Sequence, residues 1–243
     1  MKQLPLGIGL RERALFESFL PGPNAALVEQ LRAVARATAA GAPVPAPARV
    51  LWLCGPPGVG KSHLLQAVCA ACGRDGALSA YLPLAVLRVH GAGVLEGWQD
   101  ARLVAVDDLA IVAGDRRWEQ ALFSLYRECE ERGATLLAAA IDPPLRLPFA
   151  LPDLASRFAA ASLLALRALD ELEQRAALRE RARARGLELP EDTAIYLQRR
   201  YRRDLRALYE LFDTIDEAAL QAQRRLTVPF IRAVLGPPAA GEP

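Results

Sequence analysis

The chain has 243 residues, of which 52% are apolar and 24% charged, an ordinary balance for a globular protein. Its formal net charge is only +2 at pH 7, so the composition does not indicate the basic surface of a protein that coats nucleic acid. This length suits one large domain followed by a small one. No run approaches the roughly 18 uncharged apolar residues of a membrane span, so we expect no membrane partner.

The first predicted segment is an N-terminal extension, residues 1–21. Its apolar stretch from Leu4 to Leu10 ends in charged residues, without the small-residue site at which a signal peptide is cut. We therefore expect a cytoplasmic protein.

The cysteines are Cys54, Cys69, Cys72 and Cys129. Only two of them are closely spaced, and histidine occurs twice, whereas zinc needs about four ligands, so reduced core thiols are the better interpretation.

The next segment, residues 22–168, predicts an α/β domain. Asn24 is expected to cap a helix that ends near Gly41. After a proline-rich connector, short apolar runs alternate with helical patterns. These runs are Val50–Cys54, Ala77–Leu82, Leu103–Val106, Thr135–Ile141 and Ser162–Leu166. Strands that are apolar throughout and alternate with helices predict a parallel five-stranded sheet with helices on both faces.

A phosphate-binding motif follows the first apolar run. The segment Gly55–Ser62 reads G-P-P-G-V-G-K-S and matches G-x-x-x-x-G-K-[ST] between a strand and a helix. Backbone N–H groups at Gly55, Gly58 and Gly60 and the helix N-terminus would bind phosphates. Lys61 would reach the β- and γ-phosphates, and the Ser62 hydroxyl would join the Mg²⁺ shell. Lysine occurs only twice beside 28 arginines, so composition alone would have placed arginine at this position.

Carboxylates follow two later strands. Asp107 and Asp108 end the third apolar run, where Asp107 would hold the Mg²⁺ shell and Asp108 would orient an attacking water. Two acids that merely end a strand are the alternative, but the P-loop upstream favours the catalytic interpretation. Asp142 ends the fourth run and is expected to sense the γ-phosphate. An acid that opens the Pro143-Pro144 turn is its alternative.

Beyond Asp170 the pattern becomes purely helical. One helix is predicted from Asp170 to Gly186, a second from Pro190, a third from Arg203 to Gln223, and a short one from Thr227. We interpret residues 169–236 as a small all-helical lid domain and residues 237–243 as a frayed tail.

These features together resemble the DnaA branch of the AAA+ ATPases, and within it the Hda family of regulatory inactivators. His63-Leu64-Leu65 after the P-loop and Asp142-Pro143-Pro144 belong to the likeness. Further segments that carry it are Phe16–Phe19, Gly22, Asn24, Ala113–Asp115, Trp118-Glu119, Leu151–Arg157, Leu187–Asp192 and Ala222–Thr227. The resemblance implies an AAA+ fold that binds ADP or ATP with Mg²⁺, and it leaves a homodimer open. His63 is included among the nucleotide-binding residues.

The resemblance also implies roles for three outlying groups. Arg157 corresponds to the arginine finger that completes a neighbouring subunit's ATP site, and Arg203 to the lid arginine that contacts the nucleotide in cis. The N-terminal residues resemble the Q-L-x-L-x-[L/I] peptide that binds the β subunit of the DNA polymerase sliding clamp. Its predicted contacts are Gln3, Leu4, Leu6 and Ile8. A tail strand that packs on its own domain is the alternative for this short match.

The implied function is negative regulation of DNA replication initiation. Bound to a sliding clamp on DNA, the protein would present Arg157 to DnaA and promote hydrolysis of DnaA-bound ATP, with little or no ATPase activity of its own. Initiators of this branch carry a helix-turn-helix domain beyond the lid, and we expect no sequence-specific DNA binding here. Two alternatives stay open: a helicase- or transposase-loading ATPase that grips single-stranded DNA, and a DnaA-related scaffold that binds another regulator.

Overall fold

A computed structural model describes residues 14–42, 44–45, 49–184, 186–200, 227–229 and 231. The chain divides into two compact units between Arg167 and Ala168, here called the sheet domain and the lid. Several predicted features lie outside the described residues. They are the clamp-binding residues Gln3, Leu4, Leu6 and Ile8, the lid residue Arg203 with the whole of its predicted helix, and the predicted tail.

The sheet domain contains the five predicted strands. They are β1 (Val50–Cys54), β2 (Ser79–Pro83), β3 (Leu103–Asp107), β4 (Thr135–Ala140) and β5 (Ser162–Ala165). They are parallel and lie in the order β2-β3-β4-β1-β5. The predicted fold class is therefore confirmed. The largest shift is in β2, which begins at Ser79 rather than Ala77 and extends to Pro83.

Helices cover both faces of this sheet, and its strands carry apolar residues on both faces. The helices of the sheet domain are α1 (Ala25–Ala39), α2 (Lys61–Arg74), α3 (Leu84–Leu87), α4 (Arg116–Arg132) and α5 (Pro152–Ala159). Leu51 and Leu53 pack in one buried cluster with apolar residues of α1 and α2. Trp52 between them packs in the other cluster, with residues of α4 and α5. Successive strand residues point to opposite faces, so one short run builds both halves of the core.

Asn24 corrects one local prediction. It precedes α1, but its side chain makes no capping hydrogen bond to that helix. Instead, Nδ2 donates to the Arg167 carbonyl at 2.9 Å and Oδ1 accepts from the Arg167 N–H at 2.8 Å. A buried amide needs both a donor and an acceptor, and the backbone of Arg167 supplies the pair that a helix N-terminus cannot. Asn24 therefore joins the start of α1 to the end of the sheet domain.

The described part of the lid is helical. It contains α6 (Glu171–Ala184) and α7 (Glu191–Arg200). The Glu173 N–H donates to Asp170 Oδ1 and the Asp170 N–H donates to Glu173 Oε2, both at 2.8 Å, which is a reciprocal capping box at the start of α6. Glu191 at the start of α7 accepts from Arg179 of α6 at 3.0 Å, which joins the two helices.

Neither a membrane span nor a metal cluster is found in the described ranges. None of the helices there is long and apolar enough to cross a membrane. Within the same residues, no group of three or more His, Cys, Asp or Glu side chains is placed to hold a metal ion. All four cysteines are buried free thiols, and burial raises the pKa of Cys69 to about 12, which keeps its reactive thiolate scarce near neutral pH.

Candidate nucleotide-binding site

The P-loop needs glycine at its two ends for steric reasons. Gly55 has φ 150°, and a Cβ there would lie 2.6 Å from the Leu166 carbonyl oxygen. Gly60 has φ 100°, and a Cβ there would lie 2.6 Å from Cε2 of Phe19. Gly58 between them has φ 76° and faces open space. The loop is therefore packed at both ends and open in the middle, which is the shape that a phosphate group requires.

Lys61 is the first residue of α2 and is bound to its own loop. Its Nζ donates to the carbonyl oxygens of Gly55 at 2.7 Å and Pro56 at 2.9 Å. An ammonium group has three donors, so one N–H remains for a phosphate oxygen. Burial lowers the pKa of Lys61, whereas Asp107 and Asp108 favour its charged form. The cation is thus held at the mouth of the loop by two hydrogen bonds and two nearby carboxylates.

Replacing Lys61 by alanine is expected to weaken ADP binding about 10- to 100-fold. Hydrogen bonds to charged groups contribute about 1.5–3 kcal/mol, and this variant removes the ammonium group that faces the phosphates. Titration with a fluorescent ADP analogue measures the change. Arg74→Ala removes one positive charge at the far, exposed end of α2 and serves as the control. Equal affinities for the Lys61 variant and the unmodified protein would contradict this role.

Asp107 is held in one orientation at the carboxyl end of β3. It is 1% exposed. The Tyr81 hydroxyl donates to Oδ2 at 2.7 Å, and the Asp108 backbone N–H donates to Oδ1 at 3.0 Å. Asp108 has φ 56° and is the one described non-glycine residue in the left-handed region. Sequence reasoning missed Tyr81, whose only signal is a polar hydroxyl in the middle of a mostly apolar strand.

Asp142 lies beside the P-loop, as its position after β4 predicts. The Gly55 N–H donates to the Ile141 carbonyl at 3.0 Å, and the Trp52 indole donates to the Asp142 carbonyl at 3.0 Å. The half-exposed Asp142 carboxylate lies 3.7 Å from the Arg146 guanidinium. Its backbone is therefore fixed, and its side chain forms an ion pair just after the proline turn. Its role as a γ-phosphate sensor stays a prediction.

His63 contacts the segment that precedes α1. Its Nε2 lies 2.8 Å from the Leu15 carbonyl oxygen and 3.4 Å from the Ser18 hydroxyl. Its ring centroid lies 5.5 Å from that of Phe19, which also packs against Gly60. The structure thus places His63 where it joins the N-terminal segment to the helix of the P-loop. Contact with a nucleotide stays a prediction for this residue.

The strand order brings these groups to one edge of the sheet. The carboxyl ends of β1, β4 and β3 are consecutive, and neighbouring strands lie about 4.8 Å apart. The P-loop and the Asp107–Asp108 pair are therefore separated by a single strand, on the side where ligands of parallel sheets bind. Ser62 is exposed at the loop, and its hydroxyl and the Asp107 carboxylate are hard oxygen donors. These residues fit a nucleotide carrying Mg²⁺.

Arg157 lies elsewhere, on the surface that α4 and α5 form. Its Nη1 is 3.0 Å from both carboxylate oxygens of Glu130, and its guanidinium carbon is 5.5 Å from the centre of the Tyr126 ring. Its side chain is 44% exposed. The guanidinium is thus supported from one side and accessible from the other.

Comparisons with known proteins agree with this architecture. Residues 170–235 match the family model described as the Hda lid domain. The C-terminal unit is therefore similar to an Hda lid. The chain is also similar to domain III of the replication initiation protein DnaA from Thermotoga maritima, with a TM-score of 0.72 and 20% identity over 92% of this chain and 96% of that one. The resemblance found in the sequence is therefore confirmed.

Two further structures share this fold. AMPPCP-bound DnaA from Aquifex aeolicus matches with a TM-score of 0.67 and 19% identity over 88% of this chain and 68% of that one. The RuvB Holliday junction branch migration motor from Thermotoga maritima matches with a TM-score of 0.60 and 19% identity over 93% of this chain and 72% of that one. At these identities the likeness shows the fold alone, and the lid match is a separate finding.

Proposed function

We propose that this protein regulates replication initiation by promoting hydrolysis of DnaA-bound ATP. The observation that carries the proposal is the match of residues 170–235 to the Hda lid, because the fold is shared with motors such as RuvB. The protein would act in the cytoplasm while bound to a sliding clamp on DNA. Gln3, Leu4, Leu6 and Ile8 would make that contact through a few apolar and polar side chains.

The protein's own site would hold ADP or ATP with Mg²⁺. The P-loop N–H groups and Lys61 would bind the phosphates, and Ser62 and Asp107 would face the metal ion. Bound Mg²⁺ supplies positive charge that neutralises the phosphates. We propose ADP as the nucleotide of the working state, with Arg203 as its contact in the lid. In this role the nucleotide supports the fold of the regulator rather than serving as its substrate.

Arg157 would supply the catalytic charge to DnaA. An arginine finger needs a cation that a second protein can reach, and the guanidinium of Arg157 is half exposed. Such a finger contributes about 10³–10⁵ in rate by stabilising negative charge in the transition state. The Glu130 carboxylate and the Tyr126 ring hold the guanidinium when no partner is bound. The γ-phosphate of DnaA-bound ATP would then compete with Glu130 for Arg157.

This competition predicts that Glu130→Gln raises the stimulation of DnaA about two- to fivefold. An exposed ion pair contributes about 0.2–1 kcal/mol. In the unmodified protein this energy is lost when Arg157 leaves Glu130 for the γ-phosphate, and the Glu130→Gln variant removes that cost. Hydrolysis of DnaA-bound ATP at subsaturating regulator measures it. Glu131→Gln is the matched control, since the neighbouring Glu131 pairs with Arg127 at 2.8 Å. Lower stimulation by the Glu130 variant would mean that Glu130 orients Arg157 productively instead.

The proposed function itself is tested with DnaA that carries radiolabelled ATP. ADP formation is followed with clamp-loaded DNA, in the presence and absence of this protein. We expect acceleration that depends on the loaded clamp and is lost in the double variant Leu6→Ala, Ile8→Ala. No acceleration by folded, ADP-binding protein would overturn the proposal. DNA-stimulated ATP turnover by the protein alone, without any effect on DnaA, would support a loader ATPase in its place.

A further inference from the structure

Tyr81 is fixed beside Asp107 by the pairing of β2 with β3. Tyr81 lies opposite Ala105 in the register, and Pro83 lies opposite Asp107. Alternate residues of a strand share a face, so Tyr81, Ala105 and Asp107 all face the layer that α2 covers. The small side chain of Ala105 leaves room for the ring of Tyr81 to extend along the strand. Its hydroxyl then donates to Asp107 Oδ2 at 2.7 Å.

A second side chain supports the Tyr81 hydroxyl from α2. Gln66 is 8% exposed, and its side chain hydrogen-bonds that hydroxyl. A hydroxyl has one hydrogen, and that of Tyr81 is donated to Asp107, so the same hydroxyl accepts from the Gln66 amide. The order of donation is therefore from the Gln66 amide to Tyr81 and from Tyr81 to Asp107. These three residues join α2, β2 and β3 behind the candidate metal-binding carboxylate.

We propose that Tyr81 is a positioning residue that orients the Asp107 carboxylate toward the Mg²⁺ of a bound nucleotide. The inference rests on the proposed nucleotide site. Tyr81 occupies one oxygen of Asp107 and the Asp108 N–H occupies the other, which prevents rotation of the carboxylate. Each oxygen has two acceptor positions, so both retain one for the water shell of the metal ion. Mutation of a group that orients a metal ligand in this way typically lowers metal affinity about 10- to 100-fold.

The decisive experiment separates nucleotide binding that depends on Mg²⁺ from binding that does not. Affinity for a fluorescent ADP analogue is measured with Mg²⁺ and with EDTA, for the unmodified protein and for Tyr81→Phe. We expect Tyr81→Phe to weaken binding about tenfold with Mg²⁺ and to leave binding in EDTA unchanged. The midpoint of a Mg²⁺ titration at constant ADP should rise by a similar factor.

A second set of variants tests whether Tyr81 affects Mg²⁺-dependent binding through Asp107. If Tyr81 acts through Asp107, then Tyr81→Phe combined with Asp107→Asn should bind Mg²⁺-ADP no worse than Asp107→Asn alone. Gln66→Met should change the Mg²⁺ titration in the same direction as Tyr81→Phe. Unfolding followed by tryptophan fluorescence reports on the sheet domain, which contains Trp52, Trp98 and Trp118.

Each other outcome overturns the inference. Equal losses of affinity in Mg²⁺ and in EDTA would show that Tyr81 is only structural, and no loss in either would show that its hydrogen bond does not affect metal binding. Additive losses in the double variant would show that Tyr81 acts independently of Asp107. If the unmodified protein binds ADP neither with Mg²⁺ nor with EDTA, the proposed nucleotide site itself is wrong. This failure is seen in the unmodified protein, so it is distinguishable from any result that concerns Tyr81 only.

Discussion

Arg157→Ala is expected to reduce the stimulation of DnaA-bound ATP hydrolysis by about 10³- to 10⁵-fold, to the unstimulated rate. That loss corresponds to about 4–7 kcal/mol of transition-state stabilisation. The nucleotide affinity of the variant should be unchanged, because the Arg157 side chain contacts Glu130 and Tyr126 rather than the P-loop. Its fold should also persist, since an exposed ion pair contributes at most about 1 kcal/mol.

The measurement compares ADP formation on DnaA with each variant at saturating regulator. Arg127→Ala is the matched control: Arg127 is an exposed arginine of α4 whose guanidinium pairs with Glu131 at 2.8 Å. Arg157→Lys keeps the charge but loses the planar group that contacts several oxygens, so we expect only a small part of the activity to return. Full stimulation by Arg157→Ala would rule out the finger. Equal losses with Arg127→Ala would indicate that surface charge, rather than one guanidinium, is needed.

The sheet and the P-loop could be predicted because their signals are local. Each strand is a short and mostly apolar run such as Val50–Cys54, and apolar residues on both faces favour a strand of a parallel sheet that is covered on both sides. The loop requires glycine where a side chain would meet Leu166 or Phe19, so its motif is visible in the sequence. The expectation that Asp142 reaches the nucleotide crevice followed from its place at the carboxyl end of a predicted parallel strand.

The contacts that orient the site were not predictable because their partners are distant and mostly backbone. Asn24 binds the backbone of Arg167, 143 residues away. Tyr81 reaches Asp107 only because β2 pairs with β3 in one register. A polar residue that is buried to hydrogen-bond a remote main chain leaves no periodic pattern. In the sequence, Asn24 therefore looked like a helix cap.

Glu119 is the strongest case of such a residue. It lies in the first turn of α4, is fully buried, and accepts three backbone N–H groups: Gly114 at 2.7 Å, Ala150 at 3.0 Å and Leu151 at 2.6 Å. Two of these donors belong to the chain that enters α5. One carboxylate on α4 therefore fixes the start of the helix that carries Arg157. The other end of α4 holds Arg157 itself through Glu130.

We expect Glu119→Ala to lower the free energy of unfolding of the sheet domain by about 3–5 kcal/mol. The variant leaves three buried N–H groups without an acceptor, at about 1–3 kcal/mol for each unsatisfied group, partly offset by water that enters the space. Urea unfolding followed by tryptophan fluorescence measures the change, because all three tryptophans lie in the sheet domain. Glu131→Ala, an exposed position on the same helix, should change stability by less than about 0.5 kcal/mol.

Glu119→Gln distinguishes the hydrogen bonds from the space that the side chain fills. The amide keeps the shape and the oxygen that accepts from Gly114 and Ala150, but its NH₂ group would face the Leu151 N–H, so we expect a clear loss of stability that is smaller than that of Glu119→Ala. Where the variant is still folded, its stimulation of DnaA should fall while its ADP affinity is retained, since α5 loses its attachment and the P-loop does not. Unchanged unfolding of Glu119→Gln would mean that packing, rather than these three bonds, positions α5.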